Sequence, residues 1–376
     1  MIISFEGIDG SGKSSQFERF KNYLASAEKC YRAVSFPRYG EKSAVLLEAY
    51  LAGDFGTDPG DVNAYAASSF FAADRYASYK ADWGRDFSGD KLLILDRYTG
   101  SNAIHQGAKF TDPDKREEFF GWLRDYEYVK LGLPKPNLTV YFDVSPETAM
   151  ARLTSRDSEN GTTSDIHETD INFLKAGATS GKAAAAYFNW SVISAEGEPE
   201  DVFNALLTVV EKAFFRFNVR KRIAAISKEQ RHAGDEKIGR TLLSLPELEN
   251  CKTVFLYSSY GTEIDTQRII TELYTRGYNI ALPVWGSGKM TFVDDRTGTE
   301  VKYAPGDIII VPALTIDRKG YRMGKGGGYY DRCLESIPNA LTVGLAREEL
   351  MVNEVPREAH DRQVKIVVTE SGVLRF

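Results

Sequence analysis

The chain opens on a short apolar run, Ile2-Ile-Ser-Phe-Glu6, broken by glycines and followed by a helical pattern of apolar positions from Ser14 to Leu24. That order predicts a strand, a glycine-rich turn and a helix, the start of an α/β unit. Lys91 to Asp96 and Leu138 to Asp143 are further continuous apolar runs, each ending in an acid. Such runs read as buried parallel strands whose C-terminal ends carry function. The helical stretches between them predict a doubly wound, three-layer α/β/α domain with a parallel sheet. Around residue 200 the segment Asp201 to Arg231 reads as one or two helices that turn basic, with no Gly/Pro-rich linker. The junction between domains is therefore expected within a helix. Beyond it, Thr253–Tyr257, Asn279–Leu282, Ile308–Val311, Leu341–Leu345 and Lys365–Thr369 are strand candidates of a second α/β domain. The chain thus divides into domains at 1–210 and 211–376. No internal repeat relates the halves, and the alanine run Ala183 to Ala186 belongs to a helix.

Composition narrows the class. At 376 residues the chain exceeds one ordinary core, and its 43% hydrophobic and 27% charged residues have the balance of a globular protein. A formal charge of -6 speaks against a broad nucleic-acid surface, whereas a phosphate site needs only local cations, so small anions are the expected partners. Cys30, Cys251 and Cys333 lack the spacing of a disulfide framework or zinc site, which fits a reducing compartment. Met1 runs straight into the first strand without a leader pattern, and no apolar run approaches the roughly 20 residues of a membrane span. A cytoplasmic protein without membrane association is expected.

Gly7-Ile-Asp-Gly-Ser-Gly12-Lys13-Ser14 satisfies G-x-x-x-x-G-K-[ST] between a predicted strand and a predicted helix. Backbone N–H groups of Gly7, Gly10, Ser11, Gly12, Ser14 and Ser15 can ring phosphates there, and the helix N-terminus adds positive dipole. Lys13 supplies charge at the β and γ oxygens, and the Ser14 hydroxyl faces Mg²⁺. The loop alone leaves the acceptor open among ATPases, GTPases and kinases.

Five ordered blocks, FEGIDGSGKSSQ, FPR (36–38), FFAADR (70–75), LDRYTGSNAIHQGAK (95–109) and GLPKPNLTVYFDVSPETAMARL (132–153), resemble the thymidylate kinase family over about residues 1–210. The resemblance implies that ATP phosphorylates dTMP. Asp9 would then bond the sugar 3'-hydroxyl, with a helix cap as its bland alternative, and Asp96 would hold Mg²⁺ through water. Arg97 would grip the acceptor phosphate with its planar fork, and Arg38 would be a second phosphate-binding arginine. Phe71 would stack on thymine, although core packing is a competing role. Arg75, one helical turn on, would reach the base carbonyl. Ser101 and Gln106 match positions that read the pyrimidine edge. Gly10 occupies the variable loop position, so the transition-state cation would come from a lid, where Arg152 and Arg156 precede the polar segment 157–170. Arg156 is the expected finger. The resemblance further implies a homodimer through the kinase domain.

A second basic glycine-rich loop, Arg322-Met-Gly-Lys-Gly-Gly-Gly328-Tyr-Tyr-Asp331-Arg332, runs into a helix and departs from the Walker pattern. Its backbone with Arg322, Lys325 and Arg332 suits an anion, and Asp331 suits a metal. From Lys212 onward the chain resembles 5-formyltetrahydrofolate cyclo-ligase. The pieces are Lys212-x-x-x-Arg216 leading into KRIAAISKEQR, YSSYGTEIDT (257–266), 307–332 and VPREAHDRQVKIVVTE (355–370). Carried over, Lys212, Arg216, Gly324, Gly326, Gly327, Tyr329 and the loop cations bind ATP, Asp331 helps hold Mg²⁺, and Glu263 with Tyr330 faces the folate. ATP would phosphorylate the formyl oxygen of 5-formyltetrahydrofolate, and N10 would close the ring to 5,10-methenyltetrahydrofolate with release of phosphate. Between Phe292 and Asp307 the family pattern is shortened to about fourteen residues. The alternative is a (deoxy)nucleotide kinase fused to a non-catalytic, regulatory or dimerisation domain of cyclo-ligase fold.

Overall fold

The computed structural model describes all residues except 57, 59, 88–90, 161–170, 287–288 and 359–360. Two compact units form, Met1–Ala213 and Phe214–Phe376, and the helix Pro199–Ala225 runs through the junction. It ends where Ser227 caps the helix Lys228–Leu243: the Ser227 hydroxyl accepts from Gln230 N, and the Gln230 side chain accepts in return from Ser227 N. The predicted basic helical stretch is therefore two helices.

In the first unit, strands β1 (Ile2–Glu6), β2 (Tyr31–Ser35), β3 (Leu92–Asp96), β4 (Leu138–Asp143) and β5 (Ser191–Ser194) form one sheet in the order β2-β3-β1-β4-β5. Every pairing is parallel. All five residues of β1 are buried, Ser4 and Glu6 included, as expected for a central strand covered on both faces. The helix Lys13–Ser26 returns over the sheet and buries Gln16, Phe17, Phe20 and Leu24, the stripe that successive helical turns bring onto one side. Phe5 of β1 stacks on Phe142 of β4 and meets Phe17 edge-on, so sheet and helix share one aromatic core. Because β3 lies between β1 and β2, the chain leaves β1 toward β2 in one direction and leaves β3 toward β4 in the other. The ends of β1 and β3 consequently open a crevice, the usual ligand position of such sheets.

The second unit holds β6 (Thr253–Phe255), β7 (Asn279–Gly286), β8 (Lys289–Asp294), β9 (Ile308–Val311), β10 (Thr315–Ile316), β11 (Arg322–Met323), β12 (Leu341–Leu345), β13 (Ile366–Thr369) and β14 (Gly372–Arg375). Seven of these make a sheet in the order β14-β13-β12-β9-β6-β7-β8, while β10 and β11 form a separate antiparallel ribbon. The central strands are parallel, and β8 and β14 add antiparallel edges. All four residues of β9 are buried, and distinct clusters cover the two faces of the sheet. Among the described residues, no helix is long and apolar enough to cross a membrane.

Candidate active sites

The first site grows from the turn after β1. Gly10 and Gly12 have φ 73 and 79, in the left-handed region that glycine enters without steric cost. A Cβ on Gly10 would lie 2.3 Å from the Ala149 carbonyl oxygen, so the loop can close only without one. Lys13 is buried, donates to the Ile8 carbonyl at 3.3 Å and sits 3.7 Å from Asp9. Asp9 also accepts from Arg97 Nη2. Burial opposes the charge on Asp9, but Arg97 and Lys13 outweigh it and hold the carboxyl well below the usual carboxylate range. Burial, reinforced by the like charge of Arg97, lowers the Lys13 ammonium to about 8.

Arg97 follows β3 with φ 62, a conformation costly for a side chain with a Cβ. Its Nη1 meets His105 Nε2 at 3.1 Å. The Ser14 hydroxyl points to Asp96 Oδ2 at 3.4 Å, while the buried Asp96 Oδ1 and the Ser11 hydroxyl have no partner. An unsatisfied carboxylate oxygen beside a hydroxyl is a donor set that fits a hard divalent cation. Among the described residues no group of three acidic, His or Cys side chains is arranged to hold a metal ion by itself. A metal here would therefore take most of its oxygens from phosphate and water.

Beside the loop lies a cleft lined in part by Asp9, Phe71, Arg75, Arg97, Ser101 and Gln106, all of them expected from the sequence. Phe71 also packs edge-on against Tyr50 at 6.2 Å, so it serves core and cleft together. The Gln106 side-chain amide oxygen Oε1 is buried and unpartnered, which leaves it available to a ligand. Arg38 is not among the cleft residues; its guanidinium lies 3.1 Å from Asp82 and 3.7 Å from Glu41. Ser15 is exposed in the first helical turn. Arg152 reaches back to the loop: its Nη2 donates to the Ala195 carbonyl at 2.9 Å, and Nη1 lies 3.7 Å from the position of a Gly12 Cβ. Arg156 is exposed on the helix Pro146–Asn160, and residues 161–170 of the expected lid lie outside the described residues.

Two acids that sequence reasoning missed organise this cleft. Glu127, fully buried, binds Arg75 Nε at 2.7 Å and Nη2 at 2.5 Å, and also accepts from Thr99 and Asn102. Its position on the π-helical turn Asp125–Lys130 gives no local pattern to read. Glu6, just before the loop, accepts from the Ser101 hydroxyl at 2.7 Å, and its other oxygen is buried without a partner. Burial pushes its carboxyl up to about 7. The signal for Glu6 was an acid ending an otherwise apolar central strand.

The second site is the turn between β11 and the helix Tyr329–Ser336, capped by Gly328 with φ 64. Arg322 Nη2 donates to Asp331 Oδ1 at 2.6 Å, so this carboxylate is engaged by a cation of its own loop. Arg216 Nε donates to the Gly324 carbonyl at 3.1 Å, and a Cβ on Gly326 would touch the Arg216 guanidinium. Arg332 donates to the Gly327 carbonyl and lies over the Tyr329 ring. Lys325 meets Glu263 at 2.6 Å. The buried Arg322 Nε and Tyr330 hydroxyl have no partner. Lys212 lies one helical turn before Arg216, within the first unit.

The thymidylate kinase family model matches residues 5–206, and the 5-formyltetrahydrofolate cyclo-ligase family model matches residues 208–370. Thymidylate kinase of Mycobacterium tuberculosis is 32% identical over 53% of this chain and 94% of its own length. The 5-formyltetrahydrofolate cyclo-ligase of Haemophilus influenzae is 30% identical over 39% of this chain and 90% of its own. That of Escherichia coli is 28% identical over 41% and 98%. The chain belongs to both families. It is a bifunctional enzyme, a thymidylate kinase joined to a cyclo-ligase. A kinase fused to a non-catalytic module is not favoured, since nearly the whole length of those cyclo-ligases is represented.

Proposed function

We propose that the first unit transfers the terminal phosphoryl group of ATP to dTMP, and that the second uses ATP to cyclise 5-formyltetrahydrofolate to 5,10-methenyltetrahydrofolate. The observation that carries the kinase reading is the juxtaposition of Asp9, Lys13 and Arg97 at the mouth of a cleft lined by Phe71 and Gln106. Backbone N–H groups of the Gly7–Ser14 loop receive the donor phosphates. Arg97 orients the acceptor phosphate, Asp9 takes the sugar hydroxyl, and Arg75 meets a base carbonyl. Arg152 and Arg156 are the lid cations that neutralise charge on the transferring group. Asp96 and Ser14 would hold Mg²⁺, which would offset charge on the phosphates. In the second unit Arg322, Lys325, Arg332 and the loop backbone receive ATP phosphates, and Glu263 with Tyr330 faces the folate. The kinase unit works as a homodimer in a cytoplasmic setting.

The deciding experiment uses one preparation for both reactions. With ATP, dTMP turns over faster than dUMP, dCMP or thymidine, and 5-formyltetrahydrofolate yields the methenyl product. A preference for another acceptor overturns the first assignment, and absent folate turnover beside full kinase activity overturns the second.

A further inference from the structure

Away from the glycine-rich loop, the interior of the second unit holds an ion pair. Arg347, just past β12, is 5% exposed, and Asp235 of the helix Lys228–Leu243 is 8% exposed. Arg347 Nε donates to Asp235 Oδ1 at 3.0 Å and Nη2 to Oδ2 at 2.9 Å. The fork does not stop there. Nη1 donates to the Thr262 carbonyl at 3.1 Å, and Nη2 also approaches the Glu263 carbonyl at 3.4 Å. Asp235 Oδ2 in turn accepts from the Asp265 backbone N–H at 3.1 Å. One pair thus grips three residues of the loop between β6 and the helix Gln267–Thr275.

A buried pair of this kind adds little net stability over apolar residues of similar volume. What it supplies is direction, because a planar guanidinium with fixed donors sets the carbonyls it binds. The same loop is cross-tied at its ends, where Ser259 and Thr266 exchange side-chain-to-backbone bonds at 3.0 and 3.1 Å. The side chain held in the middle is Glu263. Its Oε2 accepts from Tyr260 N at 2.8 Å, and its Oε1 meets Lys325 of the glycine-rich loop at 2.6 Å.

We propose that Asp235 and Arg347 are positioning residues for Glu263, and that through Glu263 and Lys325 they set the folate against the nucleotide loop. The proposal rests on the reading of Glu263 as folate-facing. Misplacing a substrate-orienting group by about 1 Å costs up to a hundredfold in rate, so a clamp two bonds removed from the substrate has leverage on turnover.

The test uses the full chain and compares Arg347→Met, Arg347→Lys, Glu263→Gln and the double variant Arg347→Lys/Glu263→Gln. Arg347→Lys keeps the buried charges but loses the fork, so it remains informative if Arg347→Met fails to fold. Expected is a KM for 5-formyltetrahydrofolate raised on the order of tenfold in Arg347→Met and less in Arg347→Lys, with the KM for ATP within about twofold. The double variant should match Glu263→Gln alone, because one route carries both effects. Wild-type kinetics in Arg347→Lys overturn the proposal, as do single effects that multiply in the double variant when Glu263→Gln itself raises the folate KM. An unchanged folate KM in Glu263→Gln overturns the folate reading itself, and the clamp with it.

Discussion

Arg75 and Glu127 meet as a two-point ion pair inside the kinase unit, 2% and 0% exposed, across 52 positions of sequence. The pair holds Arg75 in the lining of the cleft beside the Gly7–Ser14 loop. Glu127→Ala leaves a buried guanidinium uncompensated, and the expected loss is about 3–5 kcal/mol of stability. Urea denaturation measures it, and Glu127→Gln, which retains hydrogen-bonding atoms, should lose less while still raising the KM for dTMP more than that for ATP.

Separate loops make separable activities. Lys13→Ala should reduce dTMP phosphorylation by at least about a hundredfold and leave folate cyclisation intact, with Arg322→Ala doing the reverse. Both activities assayed in each variant check this. Loss of both from either change would mean that the sites depend on one another.

Lys13 also predicts a pH limit. Its ammonium, lowered to about 8 by burial and by Arg97, loses its proton in the free enzyme as the pH passes that value. The kcat/KM for ATP in the kinase reaction should therefore fall above about pH 8, since this parameter reports groups of the free enzyme. Lys13→Arg, less active but permanently charged, should lack that limb.

Glu6 gives the opposite kind of signature. Its folded carboxyl titrates at about 7 against an ordinary 4.5, so the stability it contributes is fully present below 4.5 and is lost as the pH rises through 7. Relative to Glu6→Gln, the wild-type kinase unit should lose up to about 3 kcal/mol between pH 4.5 and 8. Thermal unfolding across that range, followed on the transition that dTMP shifts, reads the difference.

The parallel core strands and both glycine-rich loops were legible because their signals are local: an apolar run, then glycines, then a helical stripe. Edge strands were not. Tyr31–Ser35 and Ser191–Ser194 each bury a single residue, so neither run nor alternation marks them. The antiparallel edges β8 and β14 escaped likewise, since each is separated from its neighbour in sequence by only two residues, with no room for a helix. Asp9, Phe71 and Arg97 were readable from ordered motifs. Glu127 and the Asp235–Arg347 pair depend on residues brought together from 52 and 112 positions apart, a distance at which no spacing rule operates. Arg38 followed its motif into the right segment, but the neighbouring Asp82 captures its side chain.

The left-handed backbone at Arg97 carries a cost of about 1–3 kcal/mol, and the bonds from its N–H to the Phe5 carbonyl and from its guanidinium to Asp9 hold it there. A ligand that binds this folded arrangement and not the unfolded chain adds to its stability. An idle molecule is consequently expected to be more perishable than one at work, so that nucleotide supply would bear on how long the kinase half survives heat or protease.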